Sequence, residues 1–174
     1  GAQAGRRFDH GRYFNFYTAN LQRLYGADWR AKWLDETLRR LPAWGFNTLG
    51  NWSLPGLHAR DRVDRLPFTV ALSIDGDFAR ISDGVDYWGA MPDPFDPRFA
   101  DVVDRVIRDG TAPHRGDPML LGYFVDNELA WGDGSSPDPR RRHALVIHAL
   151  EGPDSPARRA LLGLLTARYP SVGA

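Results

Sequence analysis

The spacing of apolar residues changes several times along this chain, and each change marks an element. After Asp28, a fitting N-cap, the run "WRAKWLDETLRRLPAWG" puts Leu34, Leu38 and Leu41 on one helical face, and Gly45 suits the left-handed position that ends a helix. Pro42 opposes the carbonyl of Leu38 and should distort the last turn. "FNTLGNWS" reads as a short strand opening into a loop at Asn51 and Trp52, and "LPFTVALSI" alternates Phe68, Val70, Leu72 and Ile74 as a strand does. Asp96-Pro97 then supplies an N-cap and an N1 proline. Phe99, Val102, Val103, Val106 and Ile107 form one helical face that runs to Gly110. Leu120 to Val125 is a near-continuous apolar run, the mark of a buried parallel strand. Two more helices are expected, from Asp138-Pro139 and from Ser155-Pro156, after the loop "WGDGSSPDP".

Helix, strand, loop, strand, helix, strand, loop and helix in that order favour a parallel α/β sheet joined by crossovers. At least three parallel strands are expected, near Phe46 to Gly50, Phe68 to Ile74 and Leu120 to Asp126. Such sheets place ligands at the carboxyl ends of their strands. That is where "LLGYFVDNELAW" runs from six apolar or small residues into Asp126, Asn127 and Glu128.

Composition narrows the partners. With 174 residues, 43% hydrophobic and 25% charged, the chain can bury one core, and its formal net charge of zero gives no bulk attraction to nucleic acid or an anionic membrane. The absence of cysteine rules out thiol chemistry and Cys-ligated zinc. His143 and His148 lie about 140° apart around a helix, and His10, His58 and His114 are scattered, so no metal or other cofactor is implied. No apolar run reaches membrane-spanning length, and "GAQAGRRFDHGRY" has no signal-peptide core.

An acid after a strand is often only a helix cap or part of a surface ion pair. The company here is more specific. Asn127 offers a donor and an acceptor beside the acid, Trp131 offers a flat apolar face, and Asn51-Trp52 repeats the amide-and-indole pairing after an earlier strand. Sugars present hydroxyls at the ring edge and C–H groups on the ring face, so this mix suits a carbohydrate. A carboxylic acid shielded by apolar neighbours also keeps its proton more readily, as protonation of a glycosidic oxygen requires.

"YTANLQRLYGADW", "RRLPAWGFNTLGNWS", "PFDPRF", "LLGYFVDNELAW" and "SPARRALLGLLTARYP" resemble, in this order, segments of the family-50 glycoside hydrolases, the β-agarases, from about Tyr13 to Pro170. The resemblance implies a retaining glycosidase on a (β/α)8 TIM barrel, in which an Asn-Glu pair ends the fourth strand. Glu128 would then be the general acid/base and Asn127 would hold the hydroxyl next to the reacting carbon. Trp131, Asn51 and Trp52 would be subsite residues, and Asp126 a sugar contact or a buried acceptor behind the site. Phe95-Asp96-Pro97 is explained as a helix start and is given no catalytic role. Agarose or a related β-galactoside polysaccharide is the implied substrate, and a secreted or periplasmic location is implied with it.

A retaining glycosidase needs a second carboxylate about 5–5.5 Å from the first. The other two glutamates, Glu36 and Glu151, fall in helical contexts rather than at strand ends. The resemblance implies that the whole of 1–174 is a single incomplete barrel segment, covering about the second to the fourth strand, with the nucleophile outside it and no activity expected on its own. Open strand edges and exposed apolar faces in such a segment favour self-association. A carbohydrate-binding module without catalysis is the alternative.

Overall fold

The computed structural model of the chain describes residues 14–59, 61–82, 84, 89–169 and 171. Tyr13 and Pro170, the outer limits of the resemblance, and His10 lie outside them. The described chain divides into two units. The first runs up to Ala71 and takes in Gly116–Phe124, and the second takes Leu72–Arg115 and the chain from Val125 on.

The first unit opens with α1 (Phe16–Tyr25), which the sequence reading did not foresee; Asn15 caps it by accepting the Thr18 N–H at 2.9 Å. α2 (Trp29–Ala43) follows where the leucine spacing put it, although the Asp28 side chain makes no capping bond. Its exit fulfils the expectation for Gly45. That residue has φ +84, and the N–H groups of Gly45 and Phe46 reach back to the carbonyls of Pro42 and Leu41 at 3.0 and 2.9 Å, which closes the helix end. Leu38 of α2 packs with Leu49, Leu57 and Phe68 into the unit's core, with Leu34, Leu41 and Val70 around it.

β1 (Phe68–Leu72) pairs with β4 (Leu120–Val125). Both chains advance in the same direction along the pair, from Phe68 N–H on the Met119 carbonyl to Asp126 N–H on the Leu72 carbonyl, so the strands are parallel. On the other side of β1, Leu49 makes one parallel bridge to Phe68. The strand expected over Phe46 to Gly50 is thus reduced to a single bridged residue. Phe46, Asn47 and Thr48 are exposed, and among the described residues no second neighbour supports them.

In the second unit α3 (Pro97–Thr111) starts as its sequence predicts, with Asp96 accepting the Arg98 N–H at 3.0 Å and Pro97 at the first helical position. Phe99, Val102, Val103 and Val106 face Ile74 and Phe78 in one cluster. A Cβ on Gly110 would lie 2.4 Å from Leu72 Cδ2, so glycine allows α3 to lie this close to the end of β1. Two short strands, β2 (Arg80–Ile81) and β3 (Met91–Pro92), pair antiparallel. A second cluster joins their Ile81 and Met91 to Ala144 of α4 (Ala144–Glu151) and Ala157 of α5 (Pro156–Arg168).

The helix expected from Asp138 is a single 3-10 turn, Pro139–Arg142; His143 is extended, and α4 begins only after it. Ser155 caps α5 as expected, accepting the Arg158 N–H at 3.1 Å. Buried Asp93 ties β3 to α5 by accepting the Ala157 N–H at 2.9 Å.

Candidate active site

β4 ends at Val125, and the residues that follow leave the strand conformation at once. Asp126 has φ +54 and Glu128 φ +44. In a regular strand Asn127 and Glu128 would point to opposite faces. Here Asn127 sits between the left-handed Asp126 and Glu128, and Asn127 and Glu128 both line one pocket of about 250 Å³ together with Ser73, Ile74, Asp75, Arg80, Ala90 and Asp126. An unbroken parallel ladder begun by Phe68 N–H on the Met119 carbonyl would place the N–H of residue 125 on the Leu72 carbonyl. The donor is Asp126, one residue later, so the strand carries an extra residue before its exit.

Two anchors hold the exit. On one side the Asp126 backbone N–H donates to Leu72 at 2.8 Å, and its Oδ1 accepts the Ile74 N–H at 2.7 Å. On the other, Leu129 packs against the cluster of Ile81, Met91, Ala144 and Ala157. Asn127 and Glu128 span the gap.

Arg80 belongs to the pocket although the sequence reading assigned it no role, and Asp75 lies beside it. The guanidinium lies 4.5 Å over the Phe78 ring and bonds Asp75 Oδ1 through Nη2 at 2.6 Å. This leaves a fixed plate of N–H donors on the pocket wall. The only sequence signal was an isolated arginine among apolar residues in "DFARIS".

The remaining candidates are placed as follows. Trp131 is 68% exposed and is not among the pocket-lining residues; its carbonyl accepts the Ala144 N–H at 2.7 Å. Asn51 and Trp52 belong to the first unit and form the centre of a turn in which Ser53 N–H reaches the Gly50 carbonyl at 3.3 Å. Trp52 has φ +69 and is 63% exposed, while Asn51 Oδ1 is buried without a hydrogen-bond partner. Trp52, Asp126 and Glu128 are the three non-glycine residues with positive φ among those described, and all three had been singled out from sequence. One expectation is corrected. Glu128 is exposed, not shielded by apolar neighbours, because the turn at positive φ carries it away from the sheet towards the open pocket.

Asp96, within the "PFDPRF" segment, is structural. The Arg98 guanidinium first, and the Ala79 N–H next, hold its carboxyl well below the usual carboxylate range. A second hollow of about 440 Å³, lined by Ser82, Arg141, His148 and Glu151 among others, contains none of the candidate residues from the sequence.

The chain is a mixed helix–strand fold with parallel strands, and an acid-and-amide pair lines a polar pocket at the end of one of them. No protein-family model matches the sequence. β-Agarase B of Vibrio sp. (strain JT0107) is 39% identical over 168 residues, 93% of this chain and 17% of that protein. β-Agarase A of the same strain is 32% identical over 160 residues, 89% of this chain and 16% of that protein. Among solved structures an exo-β-agarase aligns with a TM-score of 0.77 at 36% identity over 92% of this chain and 22% of its own. The agarase AgWH50C aligns with a TM-score of 0.74 at 36% identity over 92% and 23%. The chain is an agarase-like segment of the family-50 kind, and it spans about a sixth of the length of the curated relatives it matches.

Proposed function

We propose that this chain carries the acid/base side of a retaining glycosidase site for agarose or a related β-galactoside polysaccharide, on part of a (β/α)8 barrel. The observation that carries the proposal is that Asn127 and Glu128, neighbours in sequence, share one pocket at the carboxyl end of a parallel strand.

Glu128 gives its proton to the glycosidic oxygen as the bond to the sugar carbon breaks. A second carboxylate takes that carbon into a glycosyl ester, and Glu128 then takes a proton from the water that hydrolyses the ester. Asn127 holds the neighbouring hydroxyl, Arg80 donates to the ring edge and Trp131 serves a further sugar unit; Asn51 and Trp52 of the first unit are sugar contacts in their own right. Asp75 bonds Arg80 and Asp126 accepts the Ile74 N–H, and the nucleophile that the family likeness implies lies outside these residues. The exposure of Glu128 fits a site whose cover comes from elsewhere. A secreted or periplasmic setting goes with a polysaccharide substrate.

The same exposure favours a second reading, sugar binding without catalysis. The test is to measure both binding and hydrolysis of agarose oligosaccharides. Binding that Asn127→Ala weakens at least about tenfold, without turnover, is expected. Absence of binding sinks the proposal. Turnover abolished by Glu128→Gln would show that the chain holds its own nucleophile. A longer natural form that binds but is unaffected in rate by Glu128→Gln would favour the binding module.

Self-association is part of the proposal. Among the described residues no strand pairs with the outer edge of β4, and its Leu121, Phe124 and Val125 are more than half exposed. Sedimentation should show association that Leu121→Lys reduces.

A further inference from the structure

We propose that Asp126 is a positioning residue, which sets the direction of Asn127 and Glu128 by stapling the end of β4 to the end of β1 without itself binding sugar. The inference rests on the reading of Asn127 and Glu128 as sugar-facing residues. It starts from two bonds made by one residue: the backbone N–H to the Leu72 carbonyl at 2.8 Å and the side-chain Oδ1 to the Ile74 N–H at 2.7 Å. The chain after Leu72 leaves the ladder, so the Ile74 N–H has no strand partner on that side, and the carboxylate takes the place of the missing carbonyl. A carboxylate accepting a backbone N–H makes a stronger bond than a neutral acceptor would.

Ile74 is a firm point of attachment. It is 5% exposed and packs with Phe78 and Val102, so the staple fixes the strand exit to the core beneath α3. The backbone at Asp126 is left-handed, a conformation that aspartate and asparagine adopt more readily than most residues. Side-chain length, acceptor and backbone preference therefore all suit the position. Leucine would fit none of these demands, and glutamate would overreach the Ile74 N–H by one methylene.

Three substitutions separate the demands. Asp126→Asn keeps the acceptor and tolerates positive φ. Asp126→Gly keeps the backbone freedom but loses the acceptor, and Asp126→Ala loses both. Amide exchange and 15N shifts of the chain report the staple with no sugar present, and titration with an agarose oligosaccharide reports its consequence. Asp126→Asn should keep most of the parent's protection at the Ile74 amide and bind within about threefold of it. Asp126→Gly should speed exchange at Ile74 roughly tenfold or more, shift Asn127 and Glu128, leave the amides of α2 unchanged and weaken binding about tenfold. Asp126→Ala should be at least as affected, and if it does not fold the other two still decide.

The proposal is overturned if Asp126→Asn loses binding while Ile74 stays protected, because the charge would then be touching sugar. It is equally overturned if Asp126→Gly leaves Ile74 protection unchanged. If the parent binds no sugar, the functional reading fails, while the exchange and shift series still decides whether the staple orients Asn127 and Glu128.

Discussion

The exit after Leu49 and the exit after β4 have similar backbones and opposite support. Each turns through a left-handed residue that is not glycine, Trp52 in one and Asp126 in the other. The second is fastened by two hydrogen bonds from Asp126 and by the packing of Leu129. The first closes on one long bond from Ser53 to Gly50 and buries Asn51 Oδ1 without a partner. A non-glycine residue at positive φ and an unsatisfied buried acceptor each cost on the order of 1–3 kcal/mol. The difference suggests different duties. The β4 exit is held by its own bonds, whereas the Asn51-Trp52 turn leaves one acceptor unsatisfied and an indole exposed.

The largest effect should come from crowding the fastened exit. Gly110→Val pushes into Leu72, whose carbonyl receives the Asp126 N–H, and should lower stability by about 2–3 kcal/mol in urea unfolding. An unchanged midpoint would mean that α3 does not press on β1.

Next, one kind of substitution should act with opposite signs at the two exits. Asp126→Gly should destabilise by about 1–2 kcal/mol through loss of a charged acceptor. Trp52→Gly should be neutral or stabilising by about 0.5 kcal/mol, because glycine relieves the strain at φ +69 while giving up little burial. Equal signs would remove the contrast. A smaller effect is expected at Asn51. Asn51→Ala deletes the unsatisfied acceptor and should stabilise by up to about 1 kcal/mol, the relief being partly offset by the packing lost with the amide, while weakening oligosaccharide binding if the turn is a subsite.

The smallest effect lies away from both exits. Asp96 is held below the usual carboxylate range by Arg98, and Asp138 is lowered to about 2, first by the Arg140 side chain and then by the Arg140 N–H. A depressed carboxyl stabilises the fold above its unfolded value and loses that contribution as pH falls through its folded value. The thermal midpoint should therefore be steady from about pH 7 to pH 5 and fall between about pH 4 and pH 2. Arg140→Ala should reduce the part of that fall due to Asp138; an identical pH profile would count against the pair.

What was legible in the sequence is what local chemistry decides. Asp96-Pro97 and Ser155 announce helix starts because their side chains bond N–H groups two or three residues on. Gly45 announces a helix end because the closing turn needs positive φ. The Asn127-Glu128 pair stood out because an acid and an amide after an apolar run are costly in a core. α1 was missed because its start lies in an aromatic run without leucine spacing, and Asn15 alone is a weak signal. The helix expected at Pro139 stops after one turn, where His143 turns extended; the fork of Arg140 onto Asp138 is not the reason, since Arg98 makes the same fork onto Asp96 at the start of the full-length α3. Arg80 became visible only when β2 and the chain after β1 met around the pocket, and the exposure of Glu128 depends on a backbone angle that residue types do not announce.

The most direct test of the central claim is an NMR titration of the chain with an agarose oligosaccharide, following backbone amides and the Asn127 side-chain amide. The account predicts saturable shifts concentrated at residues 126–130 and 73–75, at Arg80 and at Asn127, which Asn127→Ala abolishes. Absence of binding, or shifts confined to the helices and sparing Asn127 and Glu128, would contradict it.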